Sequence, residues 1–469
     1  MPSSFMDRLV EYITTCDFET LPEKLVSEAK YAVLDTVGVA LAGWSEPVVQ
    51  IVKSTYATEN GPKHVSLWGD ASQTHLEYAA LINGAASHAL DYDDVSTSIL
   101  AHPSAPILAA VIPLADHVQS SGKDVITAYV IGTEVMIKLG SVMGFKHYDL
   151  GFHATDTLGT IGAAAACSYL LQLNPDQTAH AIGIASSMAG GLQKNFGTMT
   201  KPLHVGIAGS NGIQAALLAQ QGLTANWDIF ETRGFFYSFS GGQEQWNLKR
   251  KMDDIAFGKP YSILETGLAV KKFPCCYLTH RLIQGTLDIM KGEHLELRDV
   301  LGIEIVTPPG GLVPLIHNRP LTGLHGKFSA EYTTLAAIAD GYVGLSTFED
   351  DQVQRTEIQQ LLSKVKATED EGNILAGDEL DQKPIQIRII TKNGLLETEV
   401  LHTPGSKESP LTEEERRGKW KDCLAHWRKQ SGKDALPNLD REAGILFDKG
   451  SRIDEFEYFA NFIAELHKW

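Results

Sequence analysis

The sequence predicts a mainly α fold with an α+β insertion: a discontinuous all-helical domain with a smaller α/β domain set within it. Three observations carry this. Two small-residue runs, 159–173 and 205–223, are apolar on nearly every face, as helices in the middle of a bundle are. After about residue 268 the pattern turns to alternation, at 301–306 and at Ile385, Ile387 and Ile389, which reads as strand. Helical texture then returns towards the C-terminus. The expected division is 1–268 with 402–469 for the helical domain, and 269–401 for the α/β domain.

Taken in chain order, the first clear helix repeats Leu25, Ala29, Ala32, Val33, Thr36 and Val37 at helical spacing, with Pro22 near its start and Gly43 past its end. A later helix opens N-P-D-Q, with Asn174 as N-cap, Pro175 in the first helical position and Gln177 closing a capping box. In the insertion, 330–341 and 350–365 read as helices, and Asn393-Gly394 is a hairpin turn leading into a strand at 395–401. Thr412 with Glu415 makes a second capping box, and Trp420 and Trp427 lie two turns apart on one helix face. The stretch 406–418 reads as a charged, solvated linker.

Composition narrows the function. At 469 residues the chain exceeds one ordinary core, and two or three domains are expected. Its 43% hydrophobic and 21% charged residues are those of a soluble globular protein. A net charge of −18 argues against nucleic acid or an anionic membrane as partner, so any carboxylate-binding site must gather its positive charge locally. The five cysteines (Cys16, Cys167, Cys275, Cys276, Cys423) lack zinc-ligand spacing and fit a reducing compartment, where they serve as small apolar residues. The N-terminal M-P-S-S-F-M-D-R lacks the apolar core of a signal peptide, and apolar runs such as 105–115 are short for a bilayer. A cytoplasmic location with no membrane association is expected.

Three segments concentrate reactive side chains. In H-A-L-D-Y-D-D-V, Asp91 and Asp94 share a face if the segment is helical, with Asp93 pointing elsewhere; a carboxylate here can orient a histidine or hold Mg²⁺, or simply be a solvated helix end. His102 stands in A-H-P-S, and histidine is the side chain suited to donating or accepting a proton at small cost. His153 precedes an apolar helix with Thr155 or Asp156 as its N-cap, a loop position suited to a site. Lys201, in T-M-T-K-P-L-H, is biased away from helix by Pro202 and needs a counter-charge among its apolar neighbours: a bound carboxylate or an aspartate. In K-K-F-P-C-C-Y-L-T-H, one of Lys271 and Lys272 faces inward, and Cys275 and Cys276 are small buried residues rather than nucleophiles. Arg319 and Lys327 add cations from the insertion. No G-x-G-x-x-G follows a strand, and no Walker loop or G-x-S-x-G elbow occurs, which disfavours dinucleotide and serine-hydrolase chemistry.

At these motifs the chain resembles the MmgE/PrpD family. The resemblance spans L-D-T-V-G near Leu34, N-G-A-A-S-H-A-L-D-Y-D-D, A-H-P-S, the G-F-H…G-T-I-G-A-A-A-A run, T-K-P-L-H and K-K-F-P-C-C. It implies a homodimer whose α/β domain is a lid, with a cleft beside the helical domain, no cofactor and no metal. The implied substrate is a small polycarboxylate. The reaction is decarboxylation of cis-aconitate to itaconate, with 2-methylcitrate dehydration, iminodisuccinate epimerisation or non-catalytic polycarboxylate binding as alternatives. Carried over residue by residue, the catalytic positions are Asp91, His102, His153, Lys201 and Lys271, with His102 as proton donor oriented by Asp91. Lys272, Cys276, Tyr277, His280, Arg319 and Lys327 are the expected substrate-binding positions. The threonine that animal decarboxylases carry after the first aspartate is Val95 here, and their histidine is Cys276.

Overall fold

A computed structural model describes residues 4–468 except 57–64, 71, 243–244, 294, 374, 376 and 433–437. The chain divides into two compact units, Met1–Leu268 with Cys423–Trp469, and Ala269–Asp422. Mainly α architecture with a small mixed sheet is observed, as the sequence predicts.

The first unit opens with α1 (Phe5–Thr15), α2 (Glu23–Ala42) and α3 (Pro47–Tyr56), followed by a two-stranded antiparallel ribbon of β1 (Val65–Ser66) and β2 (Gln73–Thr74). Next come α4 (Leu76–His88), α5 (Ser104–Val118), α6 (Gly122–Met143), the single turn α7 (Lys146–Asp149), α8 (Ala154–Leu170), α9 (Pro175–Met188) and α10 (Thr200–Gln220). Ser104 sits at the start of α5 with Pro103 as N-cap, and Asn174, Pro175 and Gln177 open α9 as the sequence motif requires. The centre of the unit is α8 and α10, packed on each other and on α4, α5, α6 and α9.

Small residues make that centre possible. A Cβ added at Gly84 of α4 would lie 2.6 Å from the Gly206 Cα of α10, and one added at Gly206 would lie 2.1 Å from the Leu81 carbonyl oxygen. The two backbones touch, which only glycine permits at such a crossing. That contact fixes the C-terminal end of α4 against the N-terminal end of α10. Helix α6 is long and apolar enough to cross a bilayer by length and composition, in contrast to the expectation that the apolar runs are short for one. It is buried on almost every face within the unit, which is the position of a core helix.

The second unit carries a four-stranded sheet in the order β4–β3–β5–β6, formed by β3 (Val300–Thr307), β4 (Val365–Glu369), β5 (Ile385–Thr391) and β6 (Gly394–Val400). β3 runs parallel to β4 and antiparallel to β5, and the β5–β6 hairpin closes through Asn393-Gly394. Ile303, Ile305, Ile385, Ile387 and Ile389 form the buried face, in one core with Leu282 and Ile283 of the helix His280–Gly292 and Leu335 and Ile338 of the helix Ala330–Asp340.

Two expectations need correction here. The stretch 350–365 is not one helix: it breaks into Asp350–Val353, Thr356–Leu361 and a 3-10 turn, and Val365 begins β4 opposite Ile303. The stretch 406–418 is not a free linker, since Ser406 is buried and Glu415 pairs with Lys272 at 2.6 Å. Residues 402–422 accordingly group with the second unit, where Val270 N–H donates to the Gly405 carbonyl at 2.9 Å.

Candidate active site

The segment joining α4 to α5 is not helical, and Asp91 adopts a left-handed backbone with φ of 53°. This turn separates the three aspartates by environment. Asp94 turns to the start of α5, accepting from the Ser104 N–H at 3.2 Å and from the Ser104 hydroxyl, which also meets Tyr129 Oη at 2.7 Å. Burial raises its carboxyl to about 7, against the pull of Ser104, and its role is to cap a helix.

Asp93 is fully buried between two histidines. It accepts from His88 Nδ1 at 2.8 and 2.9 Å, and its Oδ2 lies 3.2 Å from His102 Nδ1, close enough for an ion pair though not aligned as a hydrogen bond. Burial alone would raise this carboxyl; the flanking histidines hold it well below the usual range. His88 itself is pushed down to about 4, first by burial and then by the Lys201 and His102 charges, with Asp93 opposing. It stays neutral near pH 7 and donates from Nδ1.

Asp91 belongs to Lys201, whose Nζ donates to Oδ1 at 2.7 Å; the same oxygen is 3.9 Å from His102 Nε2. His102 is thus flanked at its two ring nitrogens by different carboxylates, with Asp93 nearer than the expected Asp91. Its backbone N–H donates to Thr155 Oγ1 at 3.1 Å, and its ring meets that of His88 edge-on at 4.4 Å. Lys201 lies within the first turn of α10, contrary to the bias from Pro202: that proline falls where its missing N–H is one of the helix's unpaired donors anyway.

His153 is itself the N-cap residue of α8, in place of Thr155 or Asp156, and its side chain makes no cap bond. It is buried, with Nδ1 3.0 Å from His204 Nδ1. One of these nitrogens donates and the other accepts, so the two rings are not charged together. Burial, then the Lys201, His88, His102 and His204 charges, hold His153 well below the usual histidine range. Phe196 presents its edge to His153 at 4.9 Å and lies under the Lys201 ammonium at 5.4 Å.

The structure therefore brings together Asp91, His102, His153 and Lys201, and adds His88, Asp93, His204 and Phe196. His88 stands in the same sequence run as Asp91, but a spacing of five from Asp93 carries no meaning until the turn at Asp91 is known. One ligand atom each from His88, Asp91, Asp93 and His102 lies within 4.8 Å of the others, a distance that suits a cation. Two contacts already occupy part of this set: His88 Nδ1 bonds Asp93, and Asp91 pairs with the Lys201 ammonium, which supplies a positive charge beside it.

The remaining candidates lie in the second unit. Lys271 is buried, and its charge and that of Lys327 bear on Cys275, whose thiol burial pushes up to about 12. Cys275 bonds Thr279 Oγ1 at 3.1 Å and is inert at neutral pH. Lys272 donates to Gln284 at 2.9 Å and Glu415 at 2.6 Å. Cys276 is buried, its N–H donating to the Lys327 carbonyl at 3.0 Å, while the buried His280 ring packs against Phe273 and Tyr277. Arg319 is exposed.

Comparison with known proteins follows the same division. The family description MmgE/PrpD N-terminal domain matches residues 7–248, and MmgE/PrpD C-terminal domain matches residues 273–442. The chain is 28% identical over 427 residues to a cis-aconitate decarboxylase of Mus musculus, covering 86% of this chain and 83% of that protein. It is 28% identical over 415 residues to the Homo sapiens cis-aconitate decarboxylase (86% and 84%), and 26% identical over 427 residues to one from Aspergillus terreus (84% of each).

Proposed function

The chain belongs to the MmgE/PrpD family, and on that premise we propose that it is a lyase acting on a small polycarboxylate, converting cis-aconitate to itaconate and CO₂. The observation that carries the reading is the placement of His102. One ring nitrogen lies 3.2 Å from a fully buried carboxylate, and the other faces the Asp91–Lys201 pair.

The reaction needs one proton delivered to carbon beside a carboxylate. The bond from the CH₂ arm to its carboxylate breaks, and its electron pair becomes the new double bond to the central carbon. The pair from the old double bond moves to the former vinyl carbon, which takes a proton. His102 is the residue suited to deliver it, because Asp93 compensates the imidazolium. His153 is not, because its near partner is a second imidazole, which brings no negative charge to compensate a proton, and burial beside the Lys201 charge disfavours one. Lys201 binds a substrate carboxylate in competition with Asp91 and stabilises the charge that develops on it. Proton transfer and carboxylate binding suffice for this step, so the proposal includes no cofactor.

The test is to incubate the purified chain with cis-aconitate and, in parallel, 2-methylcitrate, following CO₂ and the organic products. Itaconate with stoichiometric CO₂ supports the proposal. Water loss from 2-methylcitrate with no turnover of cis-aconitate overturns it.

A further inference from the structure

We infer that Asp93, held from behind by His88, is the positioning residue that fixes the ring orientation and charge of His102. The inference rests on the reading of His102 as proton carrier and deepens it. The family resemblance assigns that duty to Asp91; from the sequence alone, Asp93 points away from the shared face and nothing singles out His88.

One carboxylate, Asp93, serves two imidazoles. Asp93 is fully buried, so its negative charge must be compensated by protein groups. His88 offers it an N–H from Nδ1 at 2.8 Å. That histidine cannot readily supply a charge as well: its Nε2 is buried with no hydrogen-bond partner among the described residues, so a proton there would be both desolvated and unbonded. His88 therefore anchors the carboxylate and leaves its charge to His102, whose Nδ1 faces the second oxygen at 3.2 Å. Nδ1 of His102 lies on the side of Asp93 and Nε2 on the side of the Asp91–Lys201 pair, which assigns Nε2 as the nitrogen that exchanges a proton with substrate.

Charge balance supports the same division. With its histidines neutral, the cluster of Asp91, Asp93 and Lys201 carries one net negative charge. A proton on His102 neutralises it. The charged and titratable groups around His102 are Asp91, Asp93, His88, Lys201 and His153, and Asp93 is the buried anion among them. Asp91 is already paired with Lys201 and sits 3.9 Å from Nε2, too far for a hydrogen bond. Asp93, nearer at 3.2 Å and fully buried, has the stronger electrostatic hold on the ring.

Two variants test this, Asp93→Asn and His88→Leu, each first checked for a native unfolding transition. Asparagine keeps the size of Asp93 and removes its charge. It should lower kcat on the order of 10²-fold with KM changed less than about threefold, the loss expected of impaired proton transfer rather than impaired binding. The limb of the pH–rate profile that requires protonated His102 should move to lower pH. In ¹⁵N NMR of the ligand-free protein, His102 should lose its Nδ1–H tautomer preference and titrate at lower pH. His88→Leu removes the competing donor, leaves Asp93 to His102 alone, and should move the same limb to higher pH.

If Asp93→Asn leaves the His102 tautomer and titration unchanged, or if both variants move the limb in one direction, the inference fails. The NMR readout needs no turnover, so it separates this failure from that of the function. Loss of activity in His102→Gln with an unchanged His102 titration in Asp93→Asn would sink the positioning role and leave the reaction standing.

Discussion

His102 and His153 are both histidines near one lysine, and their immediate partners give them different chemistry. His102 faces a buried carboxylate, so a proton gained there is compensated; His153 faces an imidazole, so a proton gained there has no negative charge beside it. His102→Gln is accordingly expected to lower kcat on the order of 10²- to 10⁴-fold, with KM little changed, in a steady-state assay with cis-aconitate. Parity with the native enzyme in that assay would remove His102 from the chemistry. At this scale the sequence was informative about residue types and misleading about pairing. Asp91, His102, His153 and Lys201 converge as the motifs suggest, yet the left-handed turn at Asp91 aims Asp93, not Asp91, at His102 Nδ1. Helical spacing has no purchase on a segment that is not helical.

The elements that hold these groups are α4, α8 and α10, and their glycine contacts set the site's dimensions. His88 ends α4, while Lys201 and His204 open α10, and the Gly84–Gly206 crossing locks those ends together. Gly206→Ala would drive a Cβ into the Leu81 carbonyl, so the helices must separate. We expect a loss of about 1–3 kcal/mol of stability, typical of overpacking, together with reduced kcat as Lys201 and His204 move away from α4. Gly418→Ala is the control: it is an exposed helical position with nothing within 4 Å, and alanine there should stabilise by up to about 1 kcal/mol. Thermal unfolding of the two variants checks both signs. Helices with caps or apolar periodicity were legible in the sequence, as at Asn174 and Gly43. The strand at Val365 was not, because its partner Ile303 is 62 residues away and only the sheet tells it from helix.

At the scale of the whole molecule, stability should carry the signature of buried groups that titrate in opposite senses. Asp156 is buried in the first turn of α8 and its carboxyl is raised to about 7 by desolvation, against a weak bond from Thr160. Because the unfolded carboxyl ionises near its ordinary value, the folded chain holds the extra proton, and this contribution falls as pH rises from about 4 to about 7. His88, pushed down to about 4, acts in reverse: its contribution falls as pH drops from about 6.5 to about 4. Asp156→Asn should remove only the first effect, gaining on the order of 1–4 kcal/mol above pH 7 and nothing below pH 4 in denaturant unfolding. An equal gain at both extremes would show that Asp156 is not raised. For the molecule's activity, the most direct measurement is turnover of cis-aconitate in D₂O followed by NMR of the product. Itaconate bearing a single deuterium on its saturated CH₂ carbon, the former vinyl carbon that receives the proton, is the expected product. Itaconate without deuterium at that carbon, or no release of CO₂ at all, would contradict the proposed reaction.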